Sequence, residues 1–74
     1  MISMEARMAE IVVNGNARAV SQGRSVLELL GELGLEPERV AVELDREILK
    51  RELWAETRLA GGERLEIVHF VGGG

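Results

Sequence analysis

The 74-residue sequence has no cysteine, a single proline and only two aromatic residues, Trp54 and Phe70. Without cysteine the chain can form no disulfide and offers no thiolate ligand to zinc, and a reducing cytoplasm is the expected location. With so few aromatic residues, a core must be built from leucine, valine and isoleucine. Seventy-four residues predict one small domain, and because a chain of this length buries only about 60% of its unfolded surface, it needs an efficient core or a partner.

The chain also lacks a basic surface and a long apolar run. Eight arginines and one lysine stand against 13 acidic residues, for a net charge of −4, which argues against a nucleic-acid partner. No apolar stretch approaches the roughly 20 residues of a membrane helix, so no membrane partner is expected. We predict a disordered leader at 1–8, a folded domain at 9–71 and a flexible glycine tail at 72–74.

The first folded segment carries a hairpin signal. Residues 9–14 form a short run rich in β-branched side chains, which ends at Asn14-Gly15. A second short run follows at 17–20. Asn-Gly between two such runs is typical of a type I′ turn, because both residues accept a positive φ. The sequence therefore predicts two antiparallel strands joined at Asn14-Gly15.

A helix is predicted from Ser25 to Leu33. Ser25 and Glu28 form the S-x-x-E pattern of a capping box, and Gly34 suits a left-handed C-terminal cap. The apolar residues repeat at helical spacing: Val26, Leu29, Leu30 and Leu33. We expect Val26, Leu30 and Leu33 to face the sheet residues Ile11, Val13, Val42, Leu65 and Ile67.

The second half of the chain predicts more strands. Alternation marks 40–44 as a strand, Asp45-Arg46 as its turn and 47–49 as a short partner. Residues 50–60 are irregular, with Trp54 and Leu59 as core anchors. After a turn at Gly61-Gly62, 63–71 is predicted as the longest strand. One helix across one face of a mixed sheet of four to five strands is an α+β roll, the order found in ubiquitin-like β-grasp domains.

The interior of the sequence offers no catalytic set. His69 is the only histidine, so neither a metal site nor an oriented nucleophile–base pair can be assembled, and we interpret His69 as a surface residue and the protein as no enzyme. Gly72–Gly74 follows a strand and opens no helix, which excludes a phosphate-binding loop.

The remaining reactive group is the carboxylate of Gly74. Three extended residues reach about 10 Å beyond the strand, and without side chains they could thread a narrow channel into another protein's active site. There the carboxylate could be activated by ATP as an acyl-adenylate and then converted by sulfide to a thiocarboxylate. The alternative is a frayed chain end or a cloning remnant.

The chain resembles the ThiS family over about residues 9–74. The resemblance rests on the strand leading into Asn14-Gly15 and on four segments: SVLELLGELGL, PERVAVELDREIL, WAETRLAGGERLEIV and FVGGG. It implies a β-grasp fold and a sulfur carrier of thiamine biosynthesis, with Gly74 as the residue that bears the sulfur and Gly72 and Gly73 as the threading segment. It also implies a ThiF-type adenylating enzyme that uses the ATP, thiazole synthase (ThiG) as the recipient, and a sulfur donor such as a cysteine desulfurase. No stably bound cofactor is expected.

Apolar residues next to the tail are the predicted partner surface: Val68, Phe70 and Val71. An exposed apolar pair at Val68 and Phe70 is better placed to dock an enzyme than to stabilise the monomer; the alternative is that Phe70 folds back onto the core. One departure from the family pattern is Asp45-Arg46, where Asn-Gly is common, which leaves the turn type open. A molybdopterin synthase small subunit, a ubiquitin-like protein modifier and a plain interaction domain remain alternatives.

Overall fold

The computed structural model describes residues 7–70. They form one five-stranded sheet in the order β2-β1-β5-β3-β4. The strands are β1 (Met8–Val13), β2 (Asn16–Ser21), β3 (Val40–Leu44), β4 (Glu47–Leu49) and β5 (Arg64–His69), and the helix α1 is Val26–Glu32. β1 and β5 run parallel, and the other neighbours are antiparallel. The predicted α+β fold, a mixed sheet with one main helix, is confirmed.

The first hairpin has the predicted turn. Asn14 has φ 50° and Gly15 has φ 85°, the left-handed conformations of a type I′ turn. Val13 pairs with Asn16 at the base of this turn, and the register continues to Met8 opposite Ser21. The sheet thus begins one residue before the predicted domain boundary at 9. The rest of the predicted leader, 1–6, and the predicted tail lie outside the described residues.

The capping box of α1 is also confirmed. The Ser25 hydroxyl accepts from the Glu28 amide at 3.0 Å, and the Ser25 amide donates to a Glu28 carboxylate oxygen at 2.9 Å. This backbone donation, with the Ser25 side chain, lowers the pKa of Glu28 because both interactions favour the charged form. The helix ends at Leu33 as its C-cap, and Gly34 follows at φ 74°.

The core lies between α1 and one face of the sheet. Residues 50–60 contribute Trp54 and Leu59 as predicted, and the Trp54 indole donates to the Leu49 carbonyl at 2.9 Å. The predicted helix face needs one correction: Leu29 is fully buried, whereas Leu33 at the helix end is only partly buried. The buried hydrophobic residues are Ala9, Ile11, Val20, Val26, Leu29, Leu30, Val40, Val42, Trp54, Leu59 and Leu65.

The last strand is shorter than predicted. β5 has six residues, the same length as β1 and β2, rather than being the longest strand. Glu63 lies in the preceding turn, where its carboxylate accepts from the amides of Ala60 and Gly61 at 2.8 and 2.7 Å. Phe70 follows the strand, and Val71 lies outside the described residues. Within 7–70, no helix has the length and apolar character required to cross a membrane.

Candidate functional site

The central strand β5 positions the candidate site. It lies between β1 and β3 in the sheet, and the sequence runs directly from its last residue, His69, through Phe70 to the glycines. Val71 and Gly72–Gly74, which include the predicted sulfur-bearing residue, lie outside the described residues. What the structure shows is therefore the base from which that segment starts.

Val68 and Phe70 are exposed, as predicted for a partner surface. The side chains retain 55% and 49% of their accessible surface, and neither belongs to the buried core. Val68 pairs with Ala41 of β3, and the Phe70 amide donates to the Arg39 carbonyl at 2.7 Å. The apolar pair is thus presented by a backbone that β3 holds in place. Its predicted role in binding partners stays a prediction.

The sheet face that carries Val68 also carries Ile48, which the sequence pattern did not mark as exposed. Glu43 pairs with both Glu66 and Ile48, so these three side chains share a face with Val68, two residues along β5. Ile48 is 79% exposed. This open sheet face, on the side away from α1, therefore combines exposed apolar residues with two carboxylates. Which residues of neighbouring strands share this face depends on the strand register. The alternation of apolar and polar residues along a strand does not specify that register.

Besides its predicted place in the turn, Asn14 makes side-chain hydrogen bonds to the backbone of β5. Its side-chain oxygen accepts from the Ile67 amide at 2.7 Å, and its side-chain nitrogen donates to the Ile67 carbonyl at 3.3 Å. The two residues are 53 positions apart in sequence. No local pattern signals this contact, because the hairpin signal accounts for asparagine at this position without it.

A groove of about 430 Å³ opens beside His69, between the first hairpin and the end of α1. Its lining includes Leu33, Leu35 and Ile67 together with Arg18. The lining holds no hydroxyl, thiol or amine nucleophile for His69 to activate, and no carboxylate to orient the imidazole. Within residues 7–70, no three metal-ligating side chains form a cluster. The described domain thus presents an exposed apolar pair, Val68 and Phe70, and the strand that leads to the glycines.

Comparison with known proteins gives consistent matches. The ThiS family model matches residues 6–74. The sulfur carrier protein ThiS of Bacillus subtilis is 42% identical over 50 residues, which cover 68% of this chain and 76% of that protein. The crystal structure of the thiamine biosynthesis protein ThiS from Geobacter metallireducens is 37% identical, with a TM-score of 0.75, and the match covers 88% of this chain and 99% of that one.

A longer relative matches as well. The thiazole synthase of Paramagnetospirillum magneticum is 43% identical over 65 residues, which cover 88% of this chain and 20% of that protein. The chain thus spans about a fifth of the length of this relative, whereas it matches the ThiS structure over nearly its full length. With the family model matched over most of the sequence and the β-grasp sheet in place, the chain belongs to the ThiS family.

Proposed function

We propose that this protein is a sulfur carrier of thiamine biosynthesis and that the carboxylate of Gly74 carries the sulfur. The observation that carries the proposal is the similarity to the Bacillus subtilis protein named sulfur carrier protein ThiS. The fold supports it, since the central strand leads in sequence to three glycines. Chemistry at such a terminus needs no catalytic set in the domain itself.

The proposed chemistry has two steps, both in a partner's active site. First, a Gly74 carboxylate oxygen attacks the α-phosphorus of ATP, and pyrophosphate leaves with its bonding electron pair. Sulfide then attacks the acyl carbon, and AMP departs with the former carboxylate oxygen; where a cysteine desulfurase is the donor, its persulfide releases that sulfide only when a thiol supplies two electrons. The product is a thiocarboxylate. We propose the cytoplasm as the protein's location, since ATP is available there.

The chain's own contribution is reach and docking. Gly72 and Gly73 have no side chains, so this segment can enter a channel that would exclude any other residue. Val68 and Phe70, with Val71 next in sequence, form the surface proposed to bind the ThiF-type adenylating enzyme and thiazole synthase. Burying two half-exposed apolar side chains in an interface is favourable in free energy, by roughly 25 cal/mol for each Å² removed from water.

Thiazole synthase (ThiG) is the proposed recipient of the sulfur. Support comes from relatives named thiazole synthase, of which one-fifth of the length is similar to this chain. A segment of this family within such a protein is consistent with a carrier and a synthase that act together. The ThiF-type enzyme is proposed on the chemistry, because a free carboxylate does not react with sulfide unless it is activated.

The proposal is tested by intact mass of the 74-residue chain after incubation with ATP, sulfide and a ThiF-type enzyme. We expect a mass increase equal to the exchange of one oxygen for sulfur, located at Gly74 by fragmentation, and none when ATP is omitted. An unchanged mass would overturn the proposal. Attachment of the chain to lysines of other proteins would instead identify a protein modifier.

A further inference from the structure

The contact between Asn14 and Ile67 has a definite place in the sheet. β1 and β5 are parallel, and along their shared edge the Val12 amide donates to the Glu63 carbonyl and the Asn14 amide to the Leu65 carbonyl, both at 2.9 Å. The next residue of β5 on this edge is Ile67. No backbone of β1 can reach it, because the chain turns away into β2 at Gly15.

The Asn14 side chain takes the place of that missing backbone. It accepts from the Ile67 amide and donates to the Ile67 carbonyl, so it satisfies both polar groups that a further β1 residue would have paired. The side-chain amide has the same donor and acceptor as a peptide group, which lets it extend the parallel ladder by one step. On the β1 side, Asn14 is thus what holds β5 beyond Leu65.

The other edge of β5 is held by backbone throughout. β3 pairs with β5 from Leu65 to His69, and the Phe70 amide continues this edge to the Arg39 carbonyl. Loss of the Asn14 contact would therefore leave Val68 and Phe70 on β3 while releasing the opposite edge at Ile67. Ile67 stands seven residues before Gly74, so the released edge belongs to the strand that leads to the glycines.

The second hairpin offers a matched comparison. Asp45 is the first residue of the β3–β4 turn, has φ 50° as Asn14 does, and also binds β5 through its side chain. Its carboxylate accepts from the Arg64 amide at 3.0 Å. The two contacts are alike in turn position and in the strand they bind, but the Asp45 contact lies at the start of β5, remote from the glycines.

We propose that Asn14 is a positioning residue for the chemistry at Gly74. With the β3 pairing that extends to Phe70, its hold on Ile67 fixes both edges of the strand from which the chain continues to the partner's active site, an inference that rests on the proposed function. Reactions that depend on oriented groups lose about a hundredfold in rate for a misplacement of about 1 Å. Six residues separate Ile67 from Gly74, so the carboxylate need not move by the full displacement at Ile67. We therefore expect a smaller loss in rate, about tenfold.

The test compares Asn14→Gly with Asp45→Gly in steady-state adenylation by a ThiF-type enzyme. Glycine accepts the φ of both positions, so each variant keeps its turn and loses only its side-chain contact. We expect Asn14→Gly to lower kcat about tenfold with little change in KM for the carrier, because the docking pair stays on β3. Asn14→Asp, which keeps the acceptor for the Ile67 amide, should recover part of the loss. Asp45→Gly should keep the wild-type kcat.

Hydrogen exchange of the backbone amides locates the structural change in each variant. The Ile67 amide should lose protection in Asn14→Gly, and the Arg64 amide should lose protection in Asp45→Gly. Wild-type kcat in Asn14→Gly, an equal fall in Asp45→Gly, or no recovery in Asn14→Asp would overturn the inference while leaving the proposed function standing. If wild-type chain forms no adenylate, the proposed function fails and the inference fails with it.

Discussion

Leu30 tests the core at the scale of a single residue. It is fully buried on α1, so Leu30→Ala removes apolar contacts and leaves a cavity, and we expect the free energy of unfolding to fall by about 2–5 kcal/mol. Urea denaturation measures this loss. Leu33→Ala, at the partly buried C-cap of the same helix, is the matched control and should lose less. An unchanged midpoint for Leu30→Ala would contradict the packing of α1.

Glu28 gives the fold a pH dependence of known sign. Hydrogen bonds to the charged carboxylate lower its pKa in the folded state, so its contribution is complete above the ordinary glutamate pKa. This contribution to stability is lost as the pH falls from the ordinary glutamate pKa of 4.5 through the lower pKa of the folded state. We expect wild type to exceed Glu28→Gln in stability at neutral pH, and this difference to vanish in acid. Chemical denaturation of both proteins across the pH range measures it. A difference that grew in acid would contradict this sign.

Local chemistry explains which residues the sequence predicts well. The Asn14-Gly15 turn and the Ser25–Glu28 capping box follow from contacts within three positions of the chain, and both were predicted correctly. The bond from Asn14 to Ile67 could not be, because it depends on β1 and β5 being parallel neighbours, a pairing that no segment of the sequence specifies alone.

The β3–β4 turn is a test at the scale of an element. Asp45 and Arg46 have φ 50° and 73°, so the hairpin keeps two left-handed residues although neither is glycine. Arginine in this region is strained by about 1–2 kcal/mol, which glycine would relieve at some cost in unfolded-state entropy. We expect Arg46→Gly to raise the free energy of unfolding by at most about 1 kcal/mol. A lower denaturation midpoint would contradict the turn geometry.

Phe70, the residue that follows β5, tests the proposed partner surface. Phe70 is half exposed and outside the core, so Phe70→Asp should weaken binding to the ThiF-type enzyme by tenfold or more, about 1.4 kcal/mol, with little loss of stability. Titration calorimetry measures the binding. Leu27→Asp is the control, since Leu27 is 39% exposed but lies on the helix side of the sheet. Equal losses of stability and binding in Phe70→Asp would favour a structural role.

The elements show where sequence periodicity stops being informative. Alternation predicted β3 and the exposed pair Val68 and Phe70, because each needs only the period of a strand. The start of β5 and the exposure of Ile48 were not predicted. The first depends on the side-chain contacts of Glu63 in the turn, and the second on β4 being the edge of the sheet.

At the scale of the whole molecule, fold and proposed chemistry occupy different parts of the chain. The core is built from both hairpins, α1, the 50–60 connection and Leu65 of β5, and its apolar pattern made the fold class predictable. The open sheet face and the strand leading to the glycines are the parts proposed to meet a partner. The three glycines suggested chemistry at the Gly74 carboxylate, but only the family resemblance assigned that chemistry to thiamine biosynthesis.

The position of the Gly74 carboxylate is the central claim, and thiocarboxylate formation in chains altered by one residue tests it most directly. Adding an alanine after Gly74 or deleting Gly74 moves the carboxylate by about 3.5 Å, beyond what attack on the α-phosphorus of ATP tolerates. We expect intact mass to show no sulfur on either variant, with unfolding curves like wild type and normal sulfur transfer to the control His69→Ala. Wild-type rates of sulfur acquisition in the lengthened or shortened chain would contradict the claim.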